Sequence, residues 1–204
     1  SNKNNILTDF FTTGTYDARR EFYKTNAPAM DILVSSNLER LVWFMVNGDS
    51  EKVNKYMEEL KETGVYKVDD ETLARVQKEF KAGCLGEEDV LKVVHDCWNE
   101  NKYLLDTHTA VGYGVYEEYV KNTGDTTKTI LLSTASPYKF PESVYQALTG
   151  EEVDVYTAIE KLHDLTGMEI SYPLKGIKDR EILHKGVIDR DAILDTIADK
   201  IKEY

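Results

Sequence analysis

Between Asp49 and Thr63, the apolar residues Val53, Tyr56, Met57 and Leu60 recur at the spacing of one helical face. Asp49 or Ser50 suits the start of that helix, and Gly64 suits a left-handed turn at its end. The same pattern predicts a helix opening at Asp69, turning Leu73, Val76 and Phe80 inward and stopping at Gly83. Another opens at Glu87 with Val90, Leu91, Val94, Cys97 and Trp98 on one side. An earlier one spans Asn37 to Asn47, before Gly48. Acidic residues gather in the first turns, where they oppose the positive end of the helix dipole. Four helices thus form a helical subdomain.

The flanks follow a different rhythm. Asp31-Ile32-Leu33-Val34-Ser35 and Lys128-Thr129-Ile130-Leu131-Leu132-Ser133 are short apolar runs between polar residues, and the second reads as a buried parallel strand. Helices are expected on either side of it, from Thr107 to Asn122 and from Glu142 to Thr149, the latter with Pro141 at its first turn. Two more are expected in the tail, Val155 to Leu165 and Asp191 to Ile201. The fold class is therefore α/β and helix-rich. A doubly wound sheet needs more strands than this chain offers, so the expectation is a fragment whose remaining strands lie elsewhere.

Composition narrows the function. The formal net charge of −12 works against gripping nucleic acid or anionic lipid, which requires a basic face. No stretch reaches the roughly 20 apolar residues needed to cross a bilayer, and the first residues lack the apolar run of a signal peptide. Cys84 and Cys97 have no clustered histidines beside them, so neither a zinc site nor a disulfide framework is indicated, and the cytoplasm is the default compartment. His95, His163 and His184 are isolated and read as structural or exposed.

Three stretches offer chemistry. Ser133, Thr134 and Ser136 follow the expected strand, where open α/β sheets bind ligands, although such hydroxyls also satisfy turns and caps. Asp106, Thr107, His108 and Thr109 stand at a helix amino terminus, able to meet an anion or merely to cap it. Asn37, Glu39 and Arg40 open another helix, where a cation is unfavourable for the dipole unless it has a specific partner.

Taken in order, four blocks resemble threonine synthase of the branch found in enterobacteria and fungi. They are Ser1–Phe10 (SNKNNILTDF), Ala29–Arg40 (AMDILVSSNLER), Asp106–Gly112 (DTHTAVG) and Ser133–Phe140 (STASPYKF). The resemblance spans residues 1 to about 150 and implies the carboxy-terminal part of a fold type II pyridoxal-phosphate enzyme with a helical insert. It implies residues 1–35 as the end of the cofactor-binding domain, 36–103 as the insert, 104–150 as the returning helix-strand-helix and 151–204 as a helical tail. The family converts O-phospho-L-homoserine and water to L-threonine and phosphate. By resemblance, Thr134, with Ser133 beside it, hydrogen-bonds the pyridine nitrogen of the cofactor, a neutral partner that does not enforce a full pyridinium. Asp106, His108 and Thr109 border the substrate, with His108 donating to its anionic oxygens, and Asn37 and Arg40 are candidates for its phosphate.

The departures are equally specific. The family's Schiff-base lysine, its substrate-carboxylate loop and its cofactor-phosphate loop match nothing in this chain, and Lys139 belongs to a different motif. Thr107 stands where the family often has proline. The isolated chain is therefore expected to be inactive and not to hold the cofactor, and to self-associate through the face left open. No metal is implied. Two alternatives remain: a fragment of another fold type II lyase, such as a serine or threonine dehydratase, and an acidic helical interaction module.

Overall fold

The computed structural model describes residues 1–183 and 185–202, so His184 lies outside the described residues. The chain divides into two compact units, Ser1–Ile170 and Ser171–Tyr204.

In the first unit, α1 (Ile6–Thr13) buries Ile6 and Phe10 and ends at Gly14, which takes the left-handed conformation. A two-stranded antiparallel ribbon follows, β1 (Thr15–Asp17) with β2 (Val65–Lys67), in which Tyr16 faces Tyr66. Their rings stack with centroids 5.3 Å apart, and Tyr56 also stacks with Tyr66 at 5.5 Å. Phe10, Val42, Val53 and Val68 complete this core. Each such side chain, fully buried, contributes roughly 1.5–3 kcal/mol. Helices α2 (Leu38–Met45) and α3 (Ser50–Thr63) fill the span between the two strands.

The α3 cap is as expected: the Asp49 side chain accepts the Lys52 N–H and Gly64 closes the last turn. Helix α4 (Asp70–Glu79) starts on the Asp69 cap but stops at Phe80, whose backbone is extended, rather than at Gly83. Gly83 is occupied differently: its carbonyl accepts from the Ser1 amine and the Thr8 hydroxyl, both at 2.8 Å. Then come α5 (Glu87–Asn101), α6 (Thr107–Thr123), α7 (Pro141–Thr149) and α8 (Val155–Thr166). Helix α5 packs against α6 and α7, and α7 against α8. In the second unit, three 3-10 turns lead to α9 (Ile193–Lys202), and none of its described residues is buried.

Neither apolar run is a strand, the second contrary to expectation. Lys128–Ser133 is irregular, with Ile130 84% and Leu132 76% exposed. A ladder needs a neighbour, and among the described residues β1 and β2 pair only with each other, so the run has composition for a sheet interior and no strand there to pair with. Asp31–Ser35 is held by a side chain instead: the Tyr16 hydroxyl donates to the Leu33 carbonyl at 3.1 Å and accepts the Ser35 N–H at 2.8 Å.

Candidate functional site

Asp106 sits in the extended conformation that precedes a helix, and its carboxylate caps α6 by accepting the N–H groups of His108 at 2.9 Å and Thr109 at 3.3 Å. It does more than cap. Oδ1 also faces Nδ1 of the His108 ring at 3.1 Å, while Oδ2 accepts the Thr109 hydroxyl. Asp106 is 2% exposed. Burial alone pushes its pKa up, but the hydrogen bonds from His108 and Thr109 outweigh that and hold it below the usual carboxylate value.

Two further segments converge here. The Nε2 atom of His108 accepts the Ala29 N–H at 2.9 Å, which places the ring proton on Nδ1, facing Asp106. The His108 ring also lies against Phe140, with centroids 5.1 Å apart. The Thr109 hydroxyl oxygen accepts the Thr134 N–H at 3.2 Å. His108, Thr109 and Thr134, with Met30, Phe11 and Leu132, border a cavity of about 400 Å³. Its walls are chiefly apolar with a few polar groups, the usual make-up of a small-molecule site.

Of the residues singled out in the sequence, the structure brings Asp106, His108, Thr109 and Thr134 together. Asp106 faces inward, with both oxygens engaged by its own helix, so it presents nothing to a ligand in the cavity. His108 likewise has both ring nitrogens engaged within the chain and no spare proton for an anionic oxygen. Thr134 and Ser133 are exposed. Asn37 and Arg40 pair with each other on the surface, Arg40 Nη2 donating to Asn37 Oδ1 at 2.7 Å, and neither borders the cavity. Lys139 has its ammonium 5.6 Å from the centre of the Phe140 ring. His163 Nδ1 lies 2.7 Å from the Met168 carbonyl oxygen just beyond α8, and His95 lies on the surface beside Asp96. Among the described residues no cluster of His, Cys, Asp and Glu is arranged to take a metal ion.

A second network went unread in the sequence. The Asn2 amide donates to Asp31 Oδ1 at 2.7 Å, to the Thr25 hydroxyl at 2.8 Å and to the Ala27 carbonyl at 3.2 Å. Asn4 donates to the same Asp31 oxygen at 3.1 Å, and Thr25 gives Asp31 both its hydroxyl and its N–H. Asn2 and Asn4 are 1% and 3% exposed, unusual for asparagine. Asn2 and Asn4, alternate polar residues just before the apolar start of α1, were the available signal. This network fixes the segment leading to Ala29, and hence the donor that His108 meets.

Known proteins match along the same residues. The family model described as "Threonine synthase, C-terminal" matches residues 109–175. Threonine synthase of Saccharomyces cerevisiae is 37% identical over 164 residues, covering 74% of this chain and 32% of the yeast protein. Human threonine synthase-like 1 is 32% identical over 176 residues, covering 80% of this chain and 23% of its own length. The crystal structure of threonine synthase from yeast superimposes with a TM-score of 0.81 at 29% identity, over 100% of this chain and 41% of that one. The structure of PLP-bound threonine synthase from Brucella melitensis gives a TM-score of 0.67 at 30% identity, over 88% and 38%. The chain thus spans between about a quarter and two fifths of the proteins it matches.

Proposed function

We propose that this chain, which corresponds in sequence and fold to the carboxy-terminal portion of threonine synthase, supplies one wall of an active site. There a pyridoxal-phosphate enzyme converts O-phospho-L-homoserine and water to L-threonine and phosphate. The observation that carries the reading is convergence. All four blocks that resemble the family line one cavity, through Ser1, Leu7 and Thr8, Met30, His108 and Thr109, and Thr134, and three of them are tied together there by Ala29 N–H to His108 and Thr134 N–H to Thr109.

The residues present fit the ring end of the cofactor. The cavity of about 400 Å³ has apolar walls, and Thr134 on its border carries a neutral hydroxyl suited to a pyridine nitrogen, with Ser133 beside it. When bound, pyridoxal phosphate supplies an electron sink for carbanion chemistry. The chain's own part is to orient the ring through Thr134 and to exclude water with Met30 and Phe11. Thr109 and the His108 ring shape the floor, while Asn37 and Arg40 remain candidates for a substrate phosphate that reaches the surface. The division into a helical insert over residues 36–103 and a returning segment over 104–150 belongs to the same reading. So does the cytoplasm, supported by two unpaired cysteines, Cys84 exposed and Cys97 buried.

The resemblance puts the reactive lysine outside these 204 residues. The purified chain, given pyridoxal phosphate and phosphohomoserine, is expected to release no phosphate above the blank. In the longer protein implied by the resemblance, Thr134→Ala is expected to shift the bound-cofactor absorption band and lower kcat by about tenfold or more. An unchanged band and rate would remove Thr134 from this role.

A further inference from the structure

We infer that Asp106 is a positioning residue: acting through Thr109, its carboxylate fixes the main chain at Thr134 and so aims the hydroxyl proposed to meet the cofactor ring. This rests on the functional reading above for the role of Thr134, but the linkage itself stands on geometry.

Capping a helix needs one carboxylate oxygen, and Oδ1 of Asp106 performs that task with the His108 and Thr109 N–H groups. The second oxygen is left for the Thr109 hydroxyl. An ionised carboxylate only accepts, so the single hydroxyl proton of Thr109 must point at Asp106. The lone pairs of Oγ1 then face away from Asp106, and one of them receives the Thr134 N–H at 3.2 Å. Burial of Asp106, Thr109 and Ala110 keeps water from offering that hydroxyl another acceptor.

The tie matters because the segment has little else. Residues 130–135 form no helix or strand, and among the described residues the Thr134 N–H is the one group in that stretch hydrogen-bonded to the rest of the chain. The loop bearing the proposed ring contact therefore depends on an acceptor whose direction Asp106 sets. An amide in place of the carboxylate would reverse the polarity. Asparagine keeps the cap, because its oxygen still accepts the two N–H groups, but its NH₂ would donate to Thr109 Oγ1 and compete with Thr134.

Hydrogen exchange at the Thr134 amide of the purified chain reads the linkage. Asp106→Asn and Thr109→Val are each expected to speed that exchange about tenfold, with the amides of α6 unchanged. Thr109→Ser retains the hydroxyl and is expected to keep exchange within about twofold of the parent chain. In the cofactor-loaded longer protein, Asp106→Asn is expected to move the absorption band in the same direction as Thr134→Ala. Unchanged Thr134 exchange in Asp106→Asn overturns the inference, as does acceleration accompanied by lost protection along α6, which would mean a cap and nothing more. An unmoved band in Asp106→Asn, while Thr134→Ala moves it, also overturns the positioning role. If Thr134→Ala itself leaves the band in place, the cofactor reading falls and takes the ring-directed role with it, whereas the exchange result still shows whether Asp106 fixes the loop.

Discussion

Thr107 opens α6 with a side chain at 0% exposure and a hydroxyl that has no hydrogen-bond partner among the described residues. A buried unpaired hydroxyl costs about 1–3 kcal/mol. The position is the first of the helix, where proline is favoured, and Asp106 before it already has ψ 160, which proline requires of its predecessor. Thr107→Pro and Thr107→Val are therefore both expected to stabilise the chain by about 1 kcal/mol. A raised urea midpoint at constant m-value would show it; a lowered midpoint in both variants would contradict it. At this scale the sequence reading was half sufficient. Asp106 was legible as a cap, because the residue before an apolar periodic run announces itself. That it also orients Thr109 was not, since the groups opposite come from 25 and 79 positions away.

Helices were the legible elements, because caps and apolar spacing are local. Helix α6 carries two glycines that differ in what surrounds them. A Cβ at Gly114 would lie 2.5 Å from Leu85 Cδ1 and 2.9 Å from Val93 Cγ2, so Gly114 is the place where α6 approaches α5 and the residues before it. At Gly112 the nearest atom would be Leu131 Cδ1 at 3.6 Å, an ordinary contact. Gly112→Ala is thus expected to gain about 0.5–1 kcal/mol from helix propensity. Gly114→Ala is expected to lose about 1–2 kcal/mol, because overpacking exceeds that gain. Thermal unfolding of the two variants would show opposite shifts, and equal shifts would argue against the close approach. Strands were the illegible elements. Thr15–Asp17 and Val65–Lys67 are three residues each, too short for alternation to register, and they pair across α2 and α3. Lys128–Ser133 misled in the other direction, since composition reports what a segment could bury and not whether a neighbour is present.

For the molecule as a whole, the first unit presents Ile130, Leu131 and Leu132 to solvent, with Phe80 38% exposed on the same unit. Consecutive exposed apolar residues on a chain with net charge −12 are out of character for a soluble surface. The purified chain is expected to bind an apolar dye and to sediment faster with concentration, and Ile130→Lys with Leu132→Lys is expected to reduce both. Equal dye binding and sedimentation in the double variant would show that this run is not responsible. The acidic balance, the helical arrangement and the expectation of an open face could be read from the chain alone; that Ile130, Leu131 and Leu132 would form part of it could not, because a buried strand and an unpaired run have the same residues.

The contacts of Ser1 and Asn2 also set a timetable. The Asp31 partner of Asn2 lies 29 residues on, and the Gly83 partner of Ser1 lies 82 residues on. At synthesis rates of about 5–20 residues per second, residue 83 is added roughly 4–16 s after the start of this stretch has been made. The knot around Asp31 can close within about 1.5–6 s of that same start. The earliest residues of the stretch are thus held first by side chains, Asn2 and Asn4 on Asp31 and Asn5 on Arg20, and last by the Gly83 carbonyl.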